Sequence, residues 1–171
     1  MKHLKTTMLL ICLSLSGMVF ANDTIKVKPT QVESRVTQKK TDRPSVKLYQ
    51  YLIHYSEKYG VPFNIAYGIA RKESGYLGPN HLSYNPAVII GGGSNYGAMQ
   101  VRTRTADHVW QTRGTTKHKL LNDLEFNVET SMKLMAHLKK RYGSWGLALG
   151  AYNTGRPVLN SYAKKILKFQ P

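Results

Sequence analysis

The stretch "IARKESGY", residues 69–76, places an acid where the pattern asks for an apolar side chain. Glu73 follows Ala66, Ile69 and Ala70 by seven, four and three residues, so all four share one helical face. Glu73 also precedes Gly75, in a last turn where the helix macrodipole presents partial negative charge. Desolvation and the dipole both disfavour an ionised carboxylate. The spacing therefore predicts a glutamate that keeps its proton to unusually high pH, which is what a general acid needs near neutrality. Ser74 adds a hydroxyl at the same helix end. Structural readings compete: a buried or half-buried carboxylate paired with Arg71 or Lys72, or one simply exposed at a frayed helix terminus.

Most glycosidases use two carboxylates, so each further acid is a possible partner. Beyond Ser45 these are Glu57, Asp107, Asp123, Glu125 and Glu129. Asp123 and Glu125 precede a long helical pattern and read as residues complementing its dipole. Glu129 falls in the first turns of that helix, and Glu57 and Asp107 lie among polar neighbours. No obvious second catalytic acid emerges. The six histidines stand ten or more residues apart, without metal-ligand spacing, so neither a metal nor another cofactor is expected. "GGGSN" (residues 91–95) lacks the Lys-Ser/Thr of a phosphate loop, and no "GxSxG" elbow presents a serine nucleophile.

The elements that must hold Glu73 are helices. "VKLYQYLIHYSEKYG" carries Leu48, Tyr51, Leu52 and Tyr55 at helical spacing and stops at Gly60. Pro62 suits a first helical turn, and Phe63, Ala66, Tyr67 and Ala70 continue the rhythm towards Gly75. Residues 76–96 are loop-like, and "AVII" and "GAMQV" flank the glycine cluster as a possible small hairpin. A turn follows near Thr103, then helices through "NVETSMKLMAHLKKRYG" and "WGLALGAYN", and a basic helix within "PVLNSYAKKILKF". The fold class expected is mainly α, a single domain over residues 45–171 with a small irregular or β insert.

Upstream, Lys2 and Lys5 open a short apolar run, and Val19 and Ala21 are small residues before a cut after Ala21. Residues 1–21 read as a cleaved secretory signal peptide and 22–44 as a polar, flexible linker. The expected product is periplasmic or secreted, monomeric, and without a stable membrane anchor. Cys12, the single cysteine, leaves with the signal. The net charge of +16 falls by two, to +14, when Lys2 and Lys5 are removed. Such a field favours a polyanion, whether nucleic acid, anionic lipid head groups or an acidic cell-wall polymer, and export argues against nucleic acid; the bland alternative is a charge that only keeps the surface solvated.

Four segments in order, "ESG" (Glu73–Gly75), "GAMQV" (Gly97–Val101), "FNVETSMKLM" (Phe126–Met135) and "ALGAYNTG" (Ala148–Gly155), resemble the signatures of soluble lytic transglycosylases. These are goose-lysozyme-like enzymes that cut peptidoglycan, and the resemblance spans roughly residues 48–168. It implies a lysozyme-like fold in which Glu73 is the single catalytic acid and base. It implies sugar-cleft roles for Ser74, Met99, Gln100, Tyr152 and Asn153, an architectural role for Asn127, and correspondence of Ser83 to a serine of the following loop. It further implies closure of the C6 hydroxyl of N-acetylmuramic acid onto its own anomeric carbon, which needs no second carboxylate. The chain departs from the pattern in a longer loop between Glu73 and Gly97, in Ala98 where leucine is common, and in "ETS" after Val128 where glycine is usual. A wall-opening role beside an envelope-spanning secretion or conjugation complex fits such a small enzyme. Two other readings stay open: a lysozyme-type hydrolase, and a non-catalytic wall-binding or assembly protein.

Overall fold

The computed structural model describes residues 42–91 and 93–171. The expected signal peptide and almost all of the expected linker lie outside them. Seven helices are present among the described residues: α1 (Pro44–Tyr59), α2 (Phe63–Ser74), α3 (Thr103–Trp110), α4 (Lys117–Asn122), α5 (Leu124–Tyr142), α6 (Trp145–Thr154) and α7 (Ser161–Leu167). None is long and apolar enough to cross a membrane.

Pro44 opens α1, where a missing N–H costs nothing, and Gly60 closes it at φ 64°. There the N–H of Val61 returns to the Ser56 carbonyl, a left-handed glycine cap. The inner stripe of α1 is Leu48, Leu52 and Tyr55. In α2 every residue from Ile65 to Ala70 is buried, so this helix is enclosed rather than laid on a surface. Its neighbours are α1 and α7, while α5 packs against α1, α3, α4 and α6. Gly68 allows the α2–α7 approach, since an added Cβ would lie 2.9 Å from Ile166 Cγ2.

The acids around α5 are structural. Asp123 caps its N-terminus by accepting from the Phe126 N–H, at 2.9 Å. Glu125 accepts from the Tyr55 hydroxyl at 2.6 Å. Glu129 accepts from Tyr59 and pairs with Lys58. The Tyr55 and Tyr59 hydroxyls thus tie α1 to α5, while the Asp123 cap acts within α5 itself.

The insert after α2 begins at Tyr76, which is fully buried and donates its hydroxyl to the Ser45 carbonyl at 2.8 Å. The expected hairpin is reduced to isolated antiparallel bridges, Ile89–Tyr96 and Tyr96–Val101. Residues 97–100 are spent on a turn closed by reciprocal 3.0 Å bonds between Tyr96 and Val101, so "GAMQV" has no length left for a ladder. Gly97 supplies φ 78° in that turn, and a side chain there would meet Leu120 O at 2.5 Å.

Candidate active-site cleft

Glu73 lies half-buried in the last turn of α2 and opens onto a cleft of about 550 Å³. The opposite walls come from α3, α5, the end of α6 and the turn at residues 95–102. The Tyr162 hydroxyl, carried by α7, donates to Glu73 Oε1 at 2.6 Å. Burial raises the Glu73 carboxyl above its ordinary range, and the Tyr162 hydrogen bond opposes that rise by favouring the ionised form. Arg71 and Lys72 are exposed, and Arg71 lies over the Phe169 ring instead. Glu73 makes no ion pair among the described residues, so the competing paired-carboxylate reading lacks its partner. Glu73 is also the lone carboxylate among the described residues lining the cleft.

Tyr152 reaches the cleft from α6. Its hydroxyl donates to the Met99 carbonyl at 2.6 Å, and Ser131 lies 2.9 Å away on the other side. With its own proton committed to Met99, Tyr152 is the acceptor for Ser131. Burial first and the Glu73 charge second raise the Tyr152 phenol, so it stays neutral. Asn153 follows on the exposed end of α6, where its Oδ1 accepts from Asn160 Nδ2 at 3.2 Å.

Three expected cleft residues act from behind the surface. The Met99 side chain is fully buried, and the residue acts through its backbone, receiving Asn127 at its N–H and Tyr152 at its carbonyl. Gln100 lines the cleft at φ 49°, but its amide is committed: Nε2 donates to Val88 O and Gly97 O, and Oε1 accepts from Ile90 N–H. It therefore fixes the insert against the cleft. Ser74 turns inward, donating to Ala70 O and accepting from the Tyr84 hydroxyl at 2.7 Å. Burial pushes that phenol up to about 12. Ser83 is exposed in the insert and does not line the cleft.

Tyr162 and the cleft's basic residues escaped the sequence reading. "SYAKKIL" shows Ala163 and Ile166 as its apolar steps, with nothing to mark the tyrosine beside them. Arg104 and His108 are four apart, as are His137 and Arg141. That spacing was visible, but the meeting of the two faces was not. Among the described residues no three His, Cys, Asp or Glu side chains converge as metal ligands.

A family model described as "Transglycosylase SLT domain" matches residues 50–168. The chain is similar to "Protein IpgF" of Shigella sonnei and of Shigella flexneri, 30% identical to each over 99 residues, which is 58% of this chain. The match spans 61% of the length of those relatives.

Proposed function

The chain belongs to the transglycosylase SLT domain family, and from that premise we propose an exported lytic transglycosylase that cleaves peptidoglycan between N-acetylmuramic acid and N-acetylglucosamine. The carrying observation is Glu73, half-buried with its carboxyl raised by that burial, and with no second carboxylate beside it among the described cleft residues.

In this mechanism protonated Glu73 gives its proton to the glycosidic oxygen as the C1–O bond breaks, and the bonding electrons leave with that oxygen. The sugar's own acetamido carbonyl supports the cationic C1. Glu73, now ionised, is held by the Tyr162 hydroxyl and takes the proton of the C6 hydroxyl. That oxygen bonds to C1, a 1,6-anhydro end forms, and Glu73 is protonated again. An internal hydroxyl competes well with water because oriented groups reach effective molarities on the order of 10⁵ M. The neutral Tyr152 phenol faces the acid, backed by Met99 O and Ser131, while Gln100 and Ser74 hold the walls.

Export rests on the basic start and apolar run of residues 1–21, and places the enzyme at the wall. Local wall opening for an envelope-spanning secretion or conjugation complex is the setting we assign to it, acting as a monomer.

The test is mass spectrometry of purified sacculi after digestion. Muramic ends one water lighter than reducing ends support the reading. Reducing ends would make the protein a hydrolase, and binding without cleavage would make it a wall-binding protein.

A further inference from the structure

The cleft is strongly asymmetric in charge. Beside Glu73 it is lined by Arg102, Arg104, His108, His137 and Arg141. Arg104 and His108 share one face of α3, and His137 and Arg141 share one face of α5. The two faces abut, since the His108 and His137 rings meet edge to face with centroids 6.1 Å apart. The three arginines have little to hold them within the protein. Arg104 has no hydrogen bond or ion pair among the described residues, and Arg141 only lies over the Tyr142 ring. Arg102 spends its Nε on Asn95, at 2.9 Å, which leaves its terminal nitrogens available. The sole cleft carboxylate, Glu73, is already taken by Tyr162.

A glycan backbone whose lactyl carboxyls are amide-bonded to stems offers hydroxyls, acetamides and amides, which are uncharged and do not require three guanidinium groups. Like charges gathered on one wall repel, so the cluster gains only when an anion arrives. Guanidinium forks match carboxylates in a bidentate geometry. In the substrate assigned above, the carboxylates belong to the peptide stems carried on the lactyl group of the muramic sugar. We propose that the α3–α5 wall is an anion subsite that receives stem carboxylates, so that the protein prefers stem-bearing glycan over bare glycan. This inference rests on the peptidoglycan reading, and it makes Arg104 and Arg141 specificity residues that touch neither the scissile bond nor Glu73.

The experiment uses the purified full-length protein and two preparations of the same glycan strands, one intact and one stripped of stems by an amidase, with the lactyl carboxylates so exposed then capped as methylamides. Binding is measured on a Glu73→Gln background, so it is read without turnover; cleavage of both preparations by the wild type is measured beside it. The expected result is binding about tenfold tighter to intact strands. In Arg104→Gln/Arg141→Gln the two preparations bind within about twofold of each other, whereas Arg104→Lys/Arg141→Lys, which keeps the charge but loses the guanidinium fork, retains only part of the preference. Lys164→Gln/Lys165→Gln, on exposed α7 positions away from the cleft, removes the same net charge and keeps the preference. Equal binding of the two preparations by the unaltered cleft overturns the subsite. So does loss of preference in the α7 control, which would assign the effect to overall charge. Preferential binding without wild-type cleavage upholds the subsite and sinks the lytic reading alone.

Discussion

Burial of Glu73 favours its protonated form, while the Tyr162 hydroxyl, donating to the carboxylate, favours the ionised one. In the proposed mechanism Glu73 gives a proton and then takes one back, and that double duty benefits from both. Tyr162→Phe removes only the second influence, so Glu73 should hold its proton to higher pH. The alkaline limb of kcat/KM, where the acid is lost, then moves upward. At the same time kcat falls about tenfold, as the carboxyl loses the contact that orients it. A pH–rate profile with an unmoved alkaline limb would count against Glu73 as the acid. Glu73→Gln should lose about 10²- to 10⁴-fold in activity. Its stability should move the other way. A carboxyl raised on folding binds its proton more tightly in the folded state, so its contribution is present in acid and lost as pH rises through the folded value. The amide escapes that loss. Melting temperatures should therefore favour the variant near pH 7.5 and converge with wild type near pH 4. A gap of equal size at both pH values would mean burial is not what raises this acid.

At the scale of elements, the cleft depends on a turn that lacks a sheet to support it. Asn127, fully buried on α5, supplies the support by accepting from Met99 N–H and donating to Tyr96 O and Leu120 O. Asn127→Ala strands Met99 N–H and Leu120 O, leaves Tyr96 O with its bond from Val101 N–H alone, and should cost about 3 kcal/mol, read by denaturant unfolding. The displaced Met99 carbonyl should also release Tyr152 and lower activity beyond the loss in folded protein. Gly150 is the equivalent point on α6, where a Cβ would overlap the Val158 carbonyl oxygen. Gly150→Ala should cost about 3 kcal/mol, with unchanged stability indicating that residues 156–159 can move aside. These elements were unequally legible. Helices α1, α2, α5 and α6 announce themselves by apolar side chains three and four apart, with glycine just beyond their ends. The insert does not, because its polar backbone is satisfied by side chains distant in sequence, Asn127 from α5 and Gln100 across the turn. The Glu73 position was readable for the same reason as the helices: an acid interrupts an otherwise apolar face. Tyr162 was not, since its partner lies 89 residues away and no local spacing records the pairing.

The molecule as a whole carries far more positive charge than its own acids can answer, with 25 lysines and arginines against nine aspartates and glutamates. Several acids are also engaged in the scaffold: Asp123 at a helix cap, Glu125 with Tyr55, and Glu129 with Lys58 and Tyr59. Two ion pairs occur among the described residues, and their lysines are more than two-fifths exposed. Exposed pairs of this kind contribute about 0 to 1 kcal/mol each, so they do not hold the fold. The fold is held by a continuous apolar core running from Leu48 in α1 to Ile166 in α7, and a single cysteine allows no disulfide within the chain. Charge and stability are thereby separated, and salt should reveal it. Raising ionic strength from about 50 to about 500 mM shortens the reach of the surface field severalfold. Sacculus binding should weaken by about tenfold or more over that range, while the melting temperature changes by no more than about 2 °C. Binding that survives the added salt would move recognition from the field to short-range sugar contacts. A melting temperature that falls with the binding would mean that the cations stabilise the domain as well as its grip on the wall.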